Sequence, residues 1–295
     1  MRSIKLCNLF ACVVLAAAMS SCEKLQPTET SGAGGEGRPN VVLRVRQFET
    51  VPFESRSRSA VGDVCTKLCF DIYDEDGLKV TYKNQKLETE GFGEASFTLD
   101  EGDYYLVVLG HSAATNPSFA TKEMKITASG SLTDMFWACE PLHVAGEDIT
   151  KELTLKRIVS MVRFIPNDEI PDEANELLVQ YKGSKGTFSG LTGYGTTTTT
   201  QKLTVELEPT DEQMDFYVVP RKEKDTLTNV NVIARYNDGS AAKNFSEKTI
   251  DSIPVRRNCI TVCRGNLFDN ESSSHTSFFT IVVDDKWGES IGMAF

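Results

Sequence analysis

Apolar and polar residues alternate along most of this chain, and this period of two constrains the fold more than any other feature. In residues 41–48, valines and a leucine fall on one side while two arginines fall on the other. Such alternation is typical of a half-buried β-strand, because successive side chains of a strand point to opposite faces. The pattern recurs in residues 64–73, 203–207 and 228–236, and residues 104–109 are apolar on both faces. We therefore predict an all-β protein.

Turn signals separate these runs. Asp76-Gly77 and Asp238-Gly239 are typical of β-hairpins, because glycine readily adopts the positive φ that tight turns need. Helix signals are scarce, and residues 171–180, which begin with proline and acidic residues, predict one short helix. Many short strands with turn signals about every ten residues predict β-sandwiches.

The first residues have the form of a bacterial export signal. Arg2 and Lys5 precede an apolar run of about 14 residues, which is too short to span a bilayer stably. The run ends in Ser20-Ser21-Cys22, which resembles the lipobox of bacterial lipoproteins. We predict that residues 1–21 are a signal peptide and that Cys22 is the lipidation site. An ordinary cleaved secretion signal with a chance cysteine is the alternative.

The residues after Cys22 predict a flexible tether over 22–39. This stretch is rich in Gly, Thr, Glu and Pro, and it cannot bury enough apolar surface to offset its ordering entropy. No later stretch approaches the ~20 apolar residues of a membrane-spanning helix.

The length of the remaining chain favours two domains, since about 270 of the 295 residues follow the signal. We place the boundary near residue 155, where the polar run KELTLKR gives way to the apolar run IVSMVRFI. The predicted domains are two tandem β-sandwiches, residues 40–155 and residues 156–295, the second of which includes a terminal strand.

The charge of the chain argues against nucleic acid as a partner. Without the signal, which carries two of the 31 basic residues, 29 basic residues face 42 acidic ones, a net charge of −13. A nucleic-acid-binding protein instead needs basic patches that neutralise phosphates. With three histidines in the chain, acid–base catalysis has few candidate groups.

The cysteines beyond Cys22 predict buried thiols rather than a disulfide framework or a metal site. Their number is odd, and two pairs are each spaced by four residues, about 13 Å along a strand, which is too far for a disulfide within either pair. A zinc site needs closer spacing and usually histidine ligands. We predict no catalytic residue, no metal site and no cofactor. The five residues are Cys65, Cys69, Cys139, Cys259 and Cys263.

The order of several short segments resembles the FimB-like fimbrial anchor lipoproteins of Bacteroidales, which belong to the donor-strand (type V) pili. These segments are the lipobox at Cys22, KLCFDIYDEDG (67–77), EGDYYLVVLGH (101–111), LTLKRIVSMVRF (153–164), DFYVVPRK (215–222) and IPVRRNCITVCRGNLF (253–268). The resemblance implies two β-sandwiches of transthyretin-like topology and a lipid anchor in the outer membrane at the cell surface. It also implies a non-enzymatic role at the base of a fimbrium, with pilin subunits as partners.

That role requires sheet edges that another chain can complete, because an edge strand has unpaired N–H and C=O groups. Residues 277–287 (SFFTIVVDDKW) form a candidate strand for exchange, and the alternative is a final strand folded into the chain's own second domain. In the polymerising pilins of this system, an N-terminal strand is removed by cleavage after an arginine. Arg56 and Arg58 lie in a polar loop after the first predicted strand, where such a site could lie, although a solvated loop is the simpler interpretation.

A surface glycan-binding lipoprotein is the alternative function. Such a protein needs exposed aromatic side chains, and the tryptophans available for this are Trp137 and Trp287. An envelope hydrolase is less favoured, since the sequence shows no catalytic constellation.

Overall fold

The computed structural model describes residues 37–49, 61–269 and 280–284. Within these residues the chain is almost entirely β, with one helix of four residues, α1 (Val61–Val64). In chain order the strands are β1 (Val41–Glu49), β2 (Lys67–Asp74), β3 (Lys79–Lys86), β4 (Glu94–Phe97), β5 (Gly102–His111), β6 (Ser118–Phe119), β7 (Lys125–Thr127), β8 (Met135–Val144), β9 (Ile149–Arg157), β10 (Ser160–Pro166), β11 (Glu176–Lys182), β12 (Thr187–Ser189), β13 (Thr200–Glu206), β14 (Met214–Val218), β15 (Asp225–Asn237), β16 (Ala242–Val255), β17 (Ile260–Gly265) and β18 (Thr280–Asp284).

The first half of the chain forms one seven-stranded sheet in the order β3-β2-β5-β8-β9-β1-β4. Its pairs are antiparallel except for β1 and β9, which run parallel. The two edge strands are linked by a side chain, because the Gln85 amide donates to the Glu94 carbonyl at 2.7 Å and accepts from the Gly93 N–H at 3.0 Å. One face of the sheet buries a core to which β1, β2, β5, β8 and β9 all contribute.

The second half forms two four-stranded sheets, ordered β14-β10-β17-β18 and β13-β11-β15-β16. They enclose a separate core drawn from residues 162–268. Aromatic rings lie at its centre: the ring centroids of Phe164 and Phe216 are 5.8 Å apart, and those of Tyr181 and Phe216 are 6.3 Å apart. This arrangement is a β-sandwich, in which alternate residues of each sheet fill the space between them.

A fourth sheet, of three strands, is shared by the two halves. Strands β6 and β7 come from the first half, and β12 from the second half pairs with β7 to give the order β12-β7-β6. It covers a third apolar cluster, in which Phe188 and Ile126 are fully buried against Leu109 of the seven-stranded sheet.

An arginine reinforces the joint between the halves. The Arg157 guanidinium donates to both carboxylate oxygens of Asp134 at 2.7 Å and to the Asn258 side chain at 2.8 Å. It also lies 4.9 Å from the centroid of the Phe136 ring. Because Arg157 is 7% exposed, these partners balance a charge that is almost fully removed from water.

The predicted all-β class is confirmed, while two local predictions are wrong. Residues 171–180 do not form a helix, since Glu176–Lys182 is strand β11, in which Leu177, Val179 and Tyr181 alternate into the core. The strand predicted from residue 64 begins at Lys67, because Val61–Val64 forms a helical turn closed by the Cys65 N–H and the Val61 carbonyl. The predicted domain boundary between residues 155 and 156 stays a prediction. It falls within β9. The core of the seven-stranded sheet draws on residues 41–155, and the core of the sandwich draws on residues 162–268.

We expect Phe188→Ala to lower the free energy of unfolding by about 3–5 kcal/mol, because it leaves a cavity between the shared sheet and the seven-stranded sheet. Leu191→Ala, in the turn that follows β12, is the matched control. Leu191 is 47% exposed, so its truncation should change stability by less than ~0.5 kcal/mol. Urea denaturation measures both, and equal stabilities of the two variants would contradict the role of Phe188.

Candidate functional site

The candidate site is the sheet edge formed by the last described strand of the chain. Strand β18 pairs antiparallel with β17, with Cys263 opposite Ile281 and Thr261 opposite Val283. It is the outermost strand of its sheet, and partly buried Ile281 packs against the core of the second half. Residues 280–284 of the segment predicted as a terminal strand therefore form one, and they pair with a strand of the chain's own second half.

A carboxylate fixes the chain just before this strand. Asp168 accepts hydrogen bonds from three consecutive backbone N–H groups, those of Leu267 at 2.9 Å, Phe268 at 2.6 Å and Asp269 at 2.8 Å. Charge-assisted hydrogen bonds are stronger than neutral ones, so this set holds the backbone firmly. We call residues 266–269 the root of the terminal strand.

Strand β16 holds the same root from a second side. The Ser246 hydroxyl donates to the Leu267 carbonyl at 2.8 Å, and Lys248, which is 4% exposed, forms an ion pair with Asp269. Asn266 donates to the second Asp269 oxygen at 3.0 Å. The root is thus fixed by side chains from two other parts of the sandwich.

Sequence reasoning missed Asp168, Ser246 and Lys248. The dipeptide Pro166-Asn167, which is typical of a turn, is the one sequence signal near Asp168, because a turn often carries an aspartate that bonds to backbone N–H groups. Nothing in the alternation of β16 distinguishes Lys248 from an exposed lysine, since its burial depends on where the root lies.

The five cysteines of the folded part are free, as the spacing predicted. Four are buried and Cys139 is half-buried. Burial raises the pKa of the Cys65 and Cys263 thiols to about 12 and that of Cys139 to about 11. The thiolate is the reactive form, so these three side chains carry little reactive thiolate near neutral pH. Cys22 lies outside the described residues.

A buried polar pair, Cys69 and His111, lies on the face of the seven-stranded sheet that the β12-β7-β6 sheet covers, and it lacks the properties of a catalytic pair. The Cys69 thiol is 3.8 Å from Nε2 of His111, and the His111 Nδ1 accepts from the Ala113 N–H at 3.2 Å. Burial lowers the pKa of His111 to about 4 and raises that of Cys69. At neutral pH both groups are therefore uncharged, and no thiolate–imidazolium pair forms.

The nearby ion pair between Asp71 and Lys79 is also structural. Its Oδ1–Nζ distance is 2.6 Å, and burial raises the pKa of Asp71 to about 6 even though Lys79 favours the charged form. Lys79 donates to the Phe119 carbonyl at 3.0 Å, and Tyr73 donates to that of Ala120 at 3.1 Å. The cluster therefore attaches the β6–β7 hairpin to the sheet below it.

Trp137, a candidate glycan-stacking residue, is engaged within the fold. Its indole N–H donates to the Gly190 carbonyl at 2.8 Å, and the Arg257 guanidinium lies 5.8 Å from its ring centroid. Arg257 also lies 3.4 Å from the centroid of Tyr194. Trp287, Arg56 and Arg58 lie outside the described residues.

Neither a metal centre nor a membrane-spanning helix occurs in the described part of the chain. No group of three or more His, Cys, Asp and Glu side chains there is arranged to hold a metal ion. No described helix is long and apolar enough to cross a membrane.

Comparison with solved structures places the fold among β-rich bacterial adhesin and fimbrial proteins. The chain is similar to the fimbrial anchor protein Mfa2 from Porphyromonas gingivalis, at 12% identity over 84% of this chain and 97% of that one, with a TM-score of 0.50. It is also similar to candidate adhesins from Bacteroides thetaiotaomicron (14% identity, 85% and 98% covered, TM-score 0.51) and Bacteroides ovatus (11%, 82% and 92%, 0.51).

The chain belongs to DUF6562, a family of unknown function whose model matches residues 39–292. No curated protein matches it. The similarity to structures at 11–14% identity shows a shared fold, and function must be argued from the site. The resemblance to fimbrial anchors is supported at the level of the fold, whereas membership of the FimB-like group is not.

We expect the pKa of His111 to make stability depend on pH. Because burial holds this pKa at about 4, below the ordinary 6.5, protonation favours the unfolded chain. The stability from neutral His111 is full above pH ~6.5 and falls, by at most ~3 kcal/mol, as the pH drops to ~4. Asp71 has the opposite sign, since a raised carboxyl pKa makes stability fall as the pH rises from ~4 to ~6.

Comparison of variants isolates the His111 contribution, because Asp71 is present in all of them. His111→Asn keeps an acceptor for the Ala113 N–H and should lose less stability than the wild type between pH 7 and pH 4.5. His143→Asn is the control, since the His143 side chain is 69% exposed. Denaturant titrations at the two pH values measure the differences, and an unchanged pH dependence in His111→Asn would refute this assignment.

Proposed function

We propose that this protein is a lipid-anchored structural subunit of a cell-surface fimbrium, serving as its anchor or as an accessory subunit. The observation that carries the proposal is the position of β18, an edge strand that follows a root fixed by Asp168. The fold shared with the fimbrial anchor Mfa2 supports it. The role is one of assembly rather than catalysis.

Assembly would proceed by β-strand complementation with a neighbouring pilin. Strand β17 has a parallel neighbour, β10, on one side and β18 on the other. A strand from another subunit in the place of β18 would satisfy the same backbone groups of β17, and β18 could pair with an open edge elsewhere. Edges of this kind also occur at β13, β14 and β16 of the described sandwich.

The first test is the heat sensitivity of assemblies in native outer membranes. We expect SDS electrophoresis without heating to give a ladder of high-mass species that collapses to one band after boiling, because strand-exchanged subunits are kinetically trapped. Ile281→Asp should abolish the ladder, since a carboxylate at this position would enter the apolar core. Thr280→Asp, at the exposed neighbouring residue, is the control and should keep the ladder.

A single monomer band for the wild type in both lanes would refute polymeric assembly. A ladder that persists in Ile281→Asp would show that assembly does not use β18. Denaturant titration of both variants checks that the body of the sandwich remains folded.

The membrane anchor has a separate test. Lipidation at Cys22 would attach acyl chains that hold the protein on the outer membrane, since two or more chains give a stable anchor. We expect Cys22→Ala to lose incorporation of labelled palmitate and to leave the membrane fraction, whereas Cys139→Ala should keep both. Labelled palmitate on Cys22→Ala would contradict lipidation at this residue without bearing on strand exchange.

A further inference from the structure

Arg257 differs from every other arginine that is at least partly buried in the described residues, because it has no carboxylate partner among them. A charge removed from water is costly unless it is paired, and the fold pairs the others with an aspartate or a glutamate. These pairs are Arg44–Glu94, Arg157–Asp134, Arg163–Asp215, Arg221–Asp225 and Arg235–Glu176.

Most hydrogen-bond donors of Arg257 have no acceptor in the described part of the chain. Its Nη2 donates to the Thr192 carbonyl at 2.7 Å, which uses one of the four N–H groups on the two Nη atoms. Its Nε is buried without a hydrogen-bond partner there, although buried polar groups of folded proteins are nearly always paired. Burial lowers the pKa of Arg257, so an anion beside it would stabilise the charged form.

Two aromatic rings and a tight turn fix the position of this guanidinium. Its carbon lies 3.4 Å from the centroid of Tyr194 and 5.8 Å from that of Trp137. Gly193 packs against both groups, because a Cβ at this position would lie 3.0 Å from the Trp137 ring and 3.2 Å from Nη2 of Arg257. Gly193 also has a φ of 68°, which favours glycine. The side chain is thus held in place before any ligand binds, and this lowers the entropic cost of binding.

The end of the sandwich that carries Arg257 is basic. Three segments meet there, through a hydrogen bond from the Val219 N–H to the Lys185 carbonyl and through the pairing of Asp225 with Val255. They contain seven basic and two acidic residues, whereas the chain has a net charge of −11, and the Asp225 carboxylate is already paired. This end therefore attracts anions although the protein as a whole is acidic. The segments are residues 182–185, 219–226 and 255–258.

The concentration of positive charge favours a doubly charged anion over a single carboxylate. Lys222, Lys224 and Arg256 are exposed at this end, close in sequence or by strand pairing to Arg257. A phosphate monoester carries a charge of about −1.5 to −2 at neutral pH and has three acceptor oxygens. Arginine suits this group, since its planar N–H groups can bind two phosphate oxygens at once. A carboxylate has half the charge and gains less from the surrounding cations.

We propose that Arg257 and the basic segments around it form a binding site for a phosphate monoester. The phosphate oxygens accept hydrogen bonds from the Arg257 guanidinium, while Arg256, Lys222 and Lys224 attract the ligand through their charge. A soluble phosphorylated compound and the headgroup of a lipid both present this chemistry. The site uses neither β18 nor its root, so it does not depend on fimbrial assembly.

Calorimetric titration of the purified full-length protein with methyl phosphate at low salt tests this proposal. Methyl phosphate should bind at millimolar concentration or below, while acetate and methyl sulfate, which carry a single charge, should bind at least about tenfold more weakly. Arg257→Gln should weaken methyl phosphate binding about tenfold or more, which corresponds to ~1.4 kcal/mol. Arg264→Gln, at an exposed arginine of β17, is the control and should bind as the wild type does. Denaturant titration checks that both variants remain folded.

A second variant changes only exposed side chains. Lys222→Gln combined with Lys224→Gln should weaken methyl phosphate binding about threefold or more and acetate binding less, because the lost attraction scales with the charge of the ligand. Absence of methyl phosphate binding, or equal binding by Arg257→Gln, would overturn the site. Binding of acetate or methyl sulfate as tight as that of methyl phosphate would overturn the assignment to a doubly charged group.

Vesicle sedimentation distinguishes the two sources of the phosphate. The Cys22→Ala protein is used, so that acyl chains on the protein do not contribute. Binding to phosphatidylcholine vesicles that contain phosphatidic acid, but not to pure phosphatidylcholine, would support a lipid headgroup if Arg257→Gln abolishes it. Methyl phosphate binding without vesicle binding would support a soluble ester, and vesicle binding that survives Arg257→Gln would overturn the lipid assignment. None of these outcomes bears on the ladder test of fimbrial assembly.

Discussion

The joint between the two halves rests on the burial of one face of the seven-stranded sheet beneath a sheet to which both halves contribute. Strand β12 has three residues, yet it inserts Phe188 into an apolar cluster built mainly by the first half. Burial of one phenylalanine contributes on the order of 2–3 kcal/mol, which is comparable to the backbone pairing of all three residues. The Arg157–Asp134 pair then fixes the orientation of the chain at the joint, because its bidentate geometry tolerates little rotation.

Desolvation also decides the chemistry of the buried polar groups. Cys69 and His111 are close enough to form a reactive pair, and a cationic imidazole would lower the pKa of the thiol. Burial opposes both charges, so the neutral forms are favoured and the cluster remains inert. Asp71 and Lys79 avoid part of this cost by pairing, and they use the remaining donors to hold the β6–β7 hairpin. Asp71, Lys79 and Tyr73 thus position secondary structure here.

Several of the strands could be predicted from the sequence, because burial of one face imposes a period of two on the residues whichever strands are its neighbours. Residues 41–48 are a clear case, and β1 extends one residue further. The helix predicted at 171–180 failed because Pro and acidic residues mark a helix start only weakly, whereas Leu177, Val179 and Tyr181 have a core to enter. The pairing of β12 with β7 could not be predicted, since three residues carry too little pattern. The role of Asp168 could not be predicted because the three backbone N–H groups that it binds lie about a hundred residues further along the chain.

The root and the edge strand β18 are held by different interactions, and this difference would control strand exchange. The root is held by charged hydrogen bonds to Asp168 and by Ser246, whereas β18 is held by a five-residue ladder and by the packing of Ile281. Replacement of β18 by another strand returns the same backbone hydrogen bonds to β17, so the ladder contributes almost nothing to the difference in free energy. In such an exchange, side-chain fit at positions such as Ile281 would decide which strand occupies the edge. The root would keep a released strand attached at one defined point, and this would raise its effective concentration near a neighbouring subunit.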